Sequence, residues 1–262
     1  MTPDPAVDPA ADPGADRPLV LLVRPDEDDP PGLLGAWLLA GGCVLDERRM
    51  FAGDPLPADL DGHDALVVLG GEMGAGDEAE HPWLVGLKAL VRTAVADGVP
   101  TLGVCLGHQV IAAALGGEVG VNPRGRTLGL TPVGWTDAAE GDALLGGLGT
   151  ARAMHWNNDV VLALPDAAVR LASSPLGDVQ AARYAPAAWG VQCHPEVDDA
   201  IVAGWPDTEE AVPQVRAAAD ELAATWGPAG ARFAALATAR RRARAALRDT
   251  EPQRTGAPLS EV

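Results

Sequence analysis

Gly103-Val104-Cys105-Leu106-Gly107 is the segment whose residue types and spacing best suit chemistry. Cys105 stands where an apolar run, Thr101 to Val104, gives way directly to a helical pattern from about Leu106 to Leu115. This is the strand-elbow-helix arrangement of a nucleophile, with Cys in place of Ser. The two glycines permit a tight turn and close packing. The turn lifts the sulfur above the sheet edge, and a helix N-terminus behind it favours the reactive thiolate. Taken alone, the pentapeptide also reads as a buried Cys at the end of a strand.

A second group lies at Val191-Gln192-Cys193-His194-Pro195-Glu196, after another apolar run. In extended backbone, residues two apart face the same way, so His194 and Glu196 converge while Pro195 fixes the chain between them. A carboxylate beside an imidazole orients the ring and stabilises its protonated form. The competing reading is a His-Pro-Glu turn on the surface. A third group, Gly70-Gly71, follows the buried run Ala65 to Leu69. Backbone N–H groups of Gly71 and Leu106 could there form an oxyanion hole; a plain glycine turn is the alternative. Gln109, four residues after Cys105, shares its helix face. His108 is badly placed to reach the sulfur with a ring nitrogen and reads as structural.

The elements that must position these residues follow from hydrophobic patterning. Pro18 to Val23, Ala65 to Leu69 and Thr101 to Val104 are short apolar runs of buried-strand type. Helical stretches at Gly32 to Ala40, His81 to Asp97 and Leu106 to Leu115 alternate with them. This order predicts an α/β fold with an open, mostly parallel sheet flanked by helices. Past residue 118, short β-like runs (Leu128–Val133, Val160–Leu164, Val169–Ser173, Val179–Tyr184 and Ala188–Cys193) predict a mixed or antiparallel extension. Residues 208–226 and 229–248 read as two Ala-rich helices. The expected organisation is a disordered tail over 1–17, a catalytic-type domain over 18–206, a helical extension over 207–248 and a second tail over 249–262.

The formal net charge of -18 over 262 residues argues against nucleic acid or an anionic membrane as partner. The Arg-rich stretch Arg240 to Arg248 reads as a solvated helix face. The three Cys have no metal-ligand or disulfide-framework spacing, and no apolar run is long enough to span a bilayer. A reducing cytoplasm fits this composition.

Taken together, strand-GVCLGHQ-helix, the upstream strand-Gly-Gly and the downstream strand-His-Pro-Glu resemble the class I glutamine amidotransferases over roughly residues 19 to 205. The chain resembles a stand-alone version of the glutaminase domain of guanosine monophosphate synthetase. The resemblance implies a flavodoxin-like sheet, a triad of Cys105, His194 and Glu196, and an oxyanion hole from Gly71 and Leu106. It also implies substrate contacts from Gln109 and from Trp156 and Asn157 in the segment Met154 to Asp159. Family members similar to that synthetase show His-Gly-Asp where this chain has Asn157-Asn158-Asp159, and Cys193 stands where Phe is usual. The implied substrate is glutamine or another γ-glutamyl compound, with no metal or organic cofactor. The ammonia could feed a separate synthetase subunit, or the chain could hydrolyse γ-glutamyl peptides or amides alone. A non-catalytic binding or regulatory protein on the same fold is the reading from another class.

Overall fold

Runs of Val and Leu without a polar face can be satisfied only by a sheet covered on both sides, and this is what the chain forms. A computed structural model describes residues 17–149 and 151–250. Its first half runs β1 (Leu19–Arg24), α1 (Gly32–Ala40), β2 (Val44–Arg49), β3 (Ala65–Val68), α2 (Trp83–Ala96), β4 (Thr101–Val104) and α3 (Leu106–Ala114). Then follow β5 (Glu118–Val121), β6 (Thr127–Pro132), β7 (Arg152–Asn157), β8 (Asp159–Ala163), β9 (Val169–Ser173), β10 (Val179–Ala185) and β11 (Ala188–Val191). The helices α4 (Asp199–Val202), α5 (Val212–Ala217) and α6 (Ala219–Thr250) complete the order.

The main sheet has seven strands in the order β2-β1-β3-β4-β11-β10-β9. The five from β2 to β11 are parallel, and at one edge β10 pairs antiparallel with both β11 and β9. The expected mixed extension is therefore part of the sheet itself. Two further antiparallel pairs, β5 with β8 and β6 with β7, stand beside it.

Residues of β1 alternate between two cores. Val20 and Leu22 pack with Leu34 and Leu38 of α1 and with Trp226 and Phe233 of α6. Leu21 and Val23 pack with Leu84 and Leu87 of α2 and Val110 and Ile111 of α3. Each large apolar side chain so buried stabilises the fold by about 1.5–3 kcal/mol.

Three expectations need correction. First, α6 is a single helix from Ala219 to Thr250 that passes through Gly227 and Pro228 without ending, and a short α5 precedes it. The glycines of this helix answer to packing: a Cβ on Gly230 would lie 2.7 Å from the Trp37 Cβ, so α1 and α6 approach closely only because the side chain is absent. Second, the Arg-rich stretch is not simply a solvated face. Arg244 donates to the His63 carbonyl and to Asp64 Oδ1, each at 2.9 Å, and Arg240 donates to the Asp97 carbonyl at 2.8 Å. Asp64 is fully buried; the Arg244 guanidinium holds its Oδ1, while its Oδ2 accepts from Leu19 N–H at 3.0 Å and lies 3.8 Å from Arg241 Nη1. Third, β2 is a strand the hydrophobic pattern did not reveal. Of the expected tails, residues 1–16 and 251–262 lie outside the described residues, while Arg17 is held by the Gly42 and Cys43 carbonyls.

Candidate active site

The elbow is built by steric exclusion. Cys105 has φ +49°, a left-handed backbone region that an L side chain rarely adopts and that is held here by its surroundings. A Cβ on Gly103 would lie 2.4 Å from the Gly107 carbonyl group, and one on Gly107 would lie 2.0 Å from the Val68 carbonyl oxygen. The two glycines thus let α3 start against β3 and β4 without a gap. Leu106 opens α3, so its N–H has no intrahelical acceptor and is free to serve a ligand.

His194 follows β11, the neighbour of β4. Its N–H donates to the Met154 carbonyl at 2.8 Å, which ties it to β7. His194 Nδ1 is 2.7 Å from Glu196 Oε1, and both side chains are buried. Glu196 is only 1% exposed, so the surface-turn reading of His-Pro-Glu is overturned. The carbonyl of Glu196 accepts from Leu33 N–H at the start of α1 at 2.7 Å. Gly32, with φ +43°, makes that approach feasible, since a Cβ there would sit 2.2 Å from the same oxygen. The His194 ring meets Trp205 edge to face, with centroids 4.7 Å apart.

Burial alone would strip the proton from His194. The negative charges of Glu196 and Cys105, with hydrogen bonds to both, outweigh it and hold the imidazole well above its ordinary value. Cys105 and His194 line one cleft together with Gly71. The other thiols are not in comparable settings: burial pushes both Cys43 and Cys193 up, Cys193 far more. His108 is fully buried, bonded to the Tyr184 hydroxyl at 3.0 Å, and pushed down to about 3 by burial, which keeps it neutral.

The remaining expected residues gather around the sulfur. Gly71 lines the clefts on both sides of Cys105, as does Trp156, whose indole N–H donates to the Pro206 carbonyl at 2.9 Å. Gln109 and Asn157 lie on one side only, and both donate to the Asp159 carbonyl, at 2.9 and 3.1 Å. Gly70 is squeezed between Asp29 and His194: a Cβ there would lie 2.6 Å from Asp29 Oδ2 and 2.8 Å from His194 Cε1. This crowding explains the glycine pair better than a turn does. Among the described residues, no group of three or more His, Cys, Asp or Glu could hold a metal ion.

Three residues at the site were not anticipated. Gln192 Nε2 points to Cys105 Sγ at 3.6 Å, and its Oε1 accepts from Gln109 at 3.3 Å. The period of two that pairs His194 with Glu196 also includes Gln192, so the signal was present. Asp29 and Trp205 carried none, because one sits in an acidic run and the other in a loop.

Comparisons with known proteins identify the family and the fold. The family model described as glutamine amidotransferase class-I matches residues 54–200. The chain belongs to the class-I glutamine amidotransferase family. It is 32% identical over 172 residues to the glutamine amidotransferase-like protein YfeJ of Salmonella typhimurium, covering 64% of this chain and 71% of that one. It is also 32% identical over 166 residues to gamma-glutamyl peptidase 5 of Arabidopsis thaliana, covering 62% and 65%. Over 103 residues it is 42% identical to a glutamine-hydrolyzing GMP synthase subunit of Methanosarcina mazei, covering 38% and 51%. The chain thus spans just under two thirds of the peptidase's length and about half of the synthase subunit's. The crystal structure of a glutamine amidotransferase from Thermotoga maritima superposes with a TM-score of 0.75 at 23% identity, covering 83% of this chain and 98% of that one. That likeness establishes the open α/β fold. No helix among the described residues is long and apolar enough to cross a membrane.

Proposed function

We propose that this amidotransferase-family chain is a hydrolase of γ-glutamyl amides, glutamine being the simplest, and that it works through a thioester on Cys105. The observation that carries the reading is the pairing of an elbow cysteine with a buried His194–Glu196 couple 2.7 Å apart, with both Cys105 and His194 facing one cleft. His194 holds the proton given up by the thiol as an imidazolium, and the sulfur attacks the γ-carbonyl carbon. The N–H groups of Gly71 and Leu106 hold the oxyanion. Protonated His194 then gives its proton to the departing nitrogen, the C–N bond breaks, and water clears the γ-glutamyl thioester to release glutamate. Glu196 holds the ring in the required orientation throughout. Gln109, Trp156 and Asn157 serve the glutamyl portion.

The test is a substrate screen with purified protein, comparing glutamine, γ-glutamyl amines and γ-glutamyl peptides. Release of ammonia, amine or peptide is followed, and an acid quench traps acyl-enzyme for mapping by mass spectrometry. An acyl group on Cys105, lost in Cys105→Ala, is the expected result. Turnover by Cys105→Ala at the wild-type rate would remove the mechanism. A second reading, in which ammonia passes to a separate synthetase, draws on the 42% identity to the GMP synthase relative. Only about half of that relative is covered, so independent hydrolysis is the stronger reading.

A further inference from the structure

The two clefts flanking Cys105 differ in a way that assigns them to the two ends of an amide. Gln109 and Asn157 line one, whereas His194 lines only the other. The group that protonates the departing nitrogen must stand on the side where that nitrogen leaves. The cleft beside His194 is therefore the leaving-group side.

Its wall is chemically one-sided. Asp26, Asp28, Asp29 and Glu72 line it, and none of its lining residues is Lys or Arg. Trp205 adds an indole to this cleft, and aromatic faces attract cations; Trp156 lines both clefts, with the Arg126 guanidinium over its ring at 5.4 Å. The wall is held in place by its own bonds. Trp205 N–H donates to the Asp28 carbonyl at 3.0 Å, Asp26 Oδ1 accepts from Asp28 N–H, and Asp26 Oδ2 accepts from Glu72 N–H. Asp29 stands apart from this bonding. It is 9% exposed, it lines the cleft, its carboxylate makes no hydrogen bond among the described residues, and the opposite charge that acts on it is that of His194. A buried carboxylate left open to a cleft is a site for a positive group supplied by a ligand.

We propose that this acidic, indole-lined cleft receives the amine half of the substrate and selects γ-glutamyl amides of diamines or polyamines, whose second nitrogen is a cation. The proposal rests on the hydrolase reading above and names its substrate class. The chemistry is unchanged: the thioester forms on Cys105, the amide C–N bond breaks, the amine leaves with the proton from His194, and water yields glutamate. The same wall disfavours leaving groups that carry a carboxylate, such as the amino acid or peptide released from a γ-glutamyl peptide.

The experiment compares kcat/KM for four amides with the purified protein. They are the mono-γ-glutamyl amide of 1,4-diaminobutane, its neutral n-butylamine and anionic 4-aminobutyrate counterparts, and glutamine. The diaminobutane amide is expected to exceed the butylamine amide by about tenfold or more, the effect of about 1.4 kcal/mol from one partly desolvated charge contact. The aminobutyrate amide is expected to be the poorest. Asp29→Asn and, separately, Asp28→Asn should each narrow the ratio of kcat/KM for the diaminobutane amide to that for the butylamine amide, whatever either change does to the absolute rate. Equal or faster turnover of the neutral or anionic amide overturns the inference and leaves the hydrolase reading standing. So does a preference that persists in both variants. Failure of all four amides to turn over or to acylate Cys105 overturns the hydrolase reading and the inference with it.

Discussion

Replacing Asp29 by Asn removes a carboxylate that folding encloses without a hydrogen-bond donor among the described residues. Burial drives its pKa from 3.8 to about 6; His194 opposes the shift, and Glu196, Asp26 and Asp28 add to it. The folded state therefore holds the Asp29 proton more tightly than the unfolded chain does. Between about pH 4 and pH 6 the unfolded chain releases that proton first, so stability falls as pH rises and levels off above about 6. A displacement of about two units corresponds to about 3 kcal/mol at pH 8 and to about half that at pH 5. Asn pays none of this, so Asp29→Asn should raise stability by up to about 3 kcal/mol at pH 8, or about 6–12 °C in Tm for an ordered region of this size. Thermal melts followed by circular dichroism at pH 5 and pH 8 read both values. Superimposable melts at pH 8, or a gain of the same size at both pH values, would refute the reasoning. A gain in stability coupled to a loss of cation preference is the signature expected of a residue kept for binding.

Glu196→Gln keeps the hydrogen bond to His194 but not the charge. It should lower kcat about 10–100-fold, less than His194→Ala, as measured by steady-state kinetics. Because Glu196 is buried, with Oε2 lacking a partner among the described residues, its thermal stability should change as well, which an exposed turn residue would not show. Gly107→Ala places a Cβ 2.0 Å from the Val68 carbonyl oxygen and should cost about 3 kcal/mol or more in urea denaturation, with loss of activity. Arg244→Ala takes the shorter of two ion pairs from the buried Asp64 carboxylate, leaving Leu19 N–H and Arg241, and should cost about 1–3 kcal/mol by the same assay while kcat stays near wild type.

The elbow and the His-Pro-Glu group were legible because their chemistry imposes local rules: glycines where backbones touch, and a period of two where side chains converge. The parallel core was legible because strands buried on both faces must be apolar throughout. Strand β2 was not, since Val44–Arg49 reads VLDERR and lies at the sheet edge, where exposed positions tolerate charge. The break expected at Gly227-Pro228 failed because Trp226 and Phe233 bury on the same core and carry the helix across it. Asp29 was invisible because burial of one acid among Asp26, Glu27, Asp28 and Asp29 depends on Gly70 and His194, which come from distant parts of the chain.

The fastening of α6 bears on how the molecule is made. Arg244 grips the His63 carbonyl across 181 residues of sequence, and the surface of α1 is covered by side chains from the same late helix. During synthesis from the N-terminus, β1, α1 and β3 leave the ribosome long before Arg244 exists. Until then Leu34, Leu38 and the face of β1 bearing Val20 and Leu22 have no lid, and Asp64 has no counter-charge. A nascent chain stalled before residue 219 would display that apolar surface to chaperones and to its neighbours.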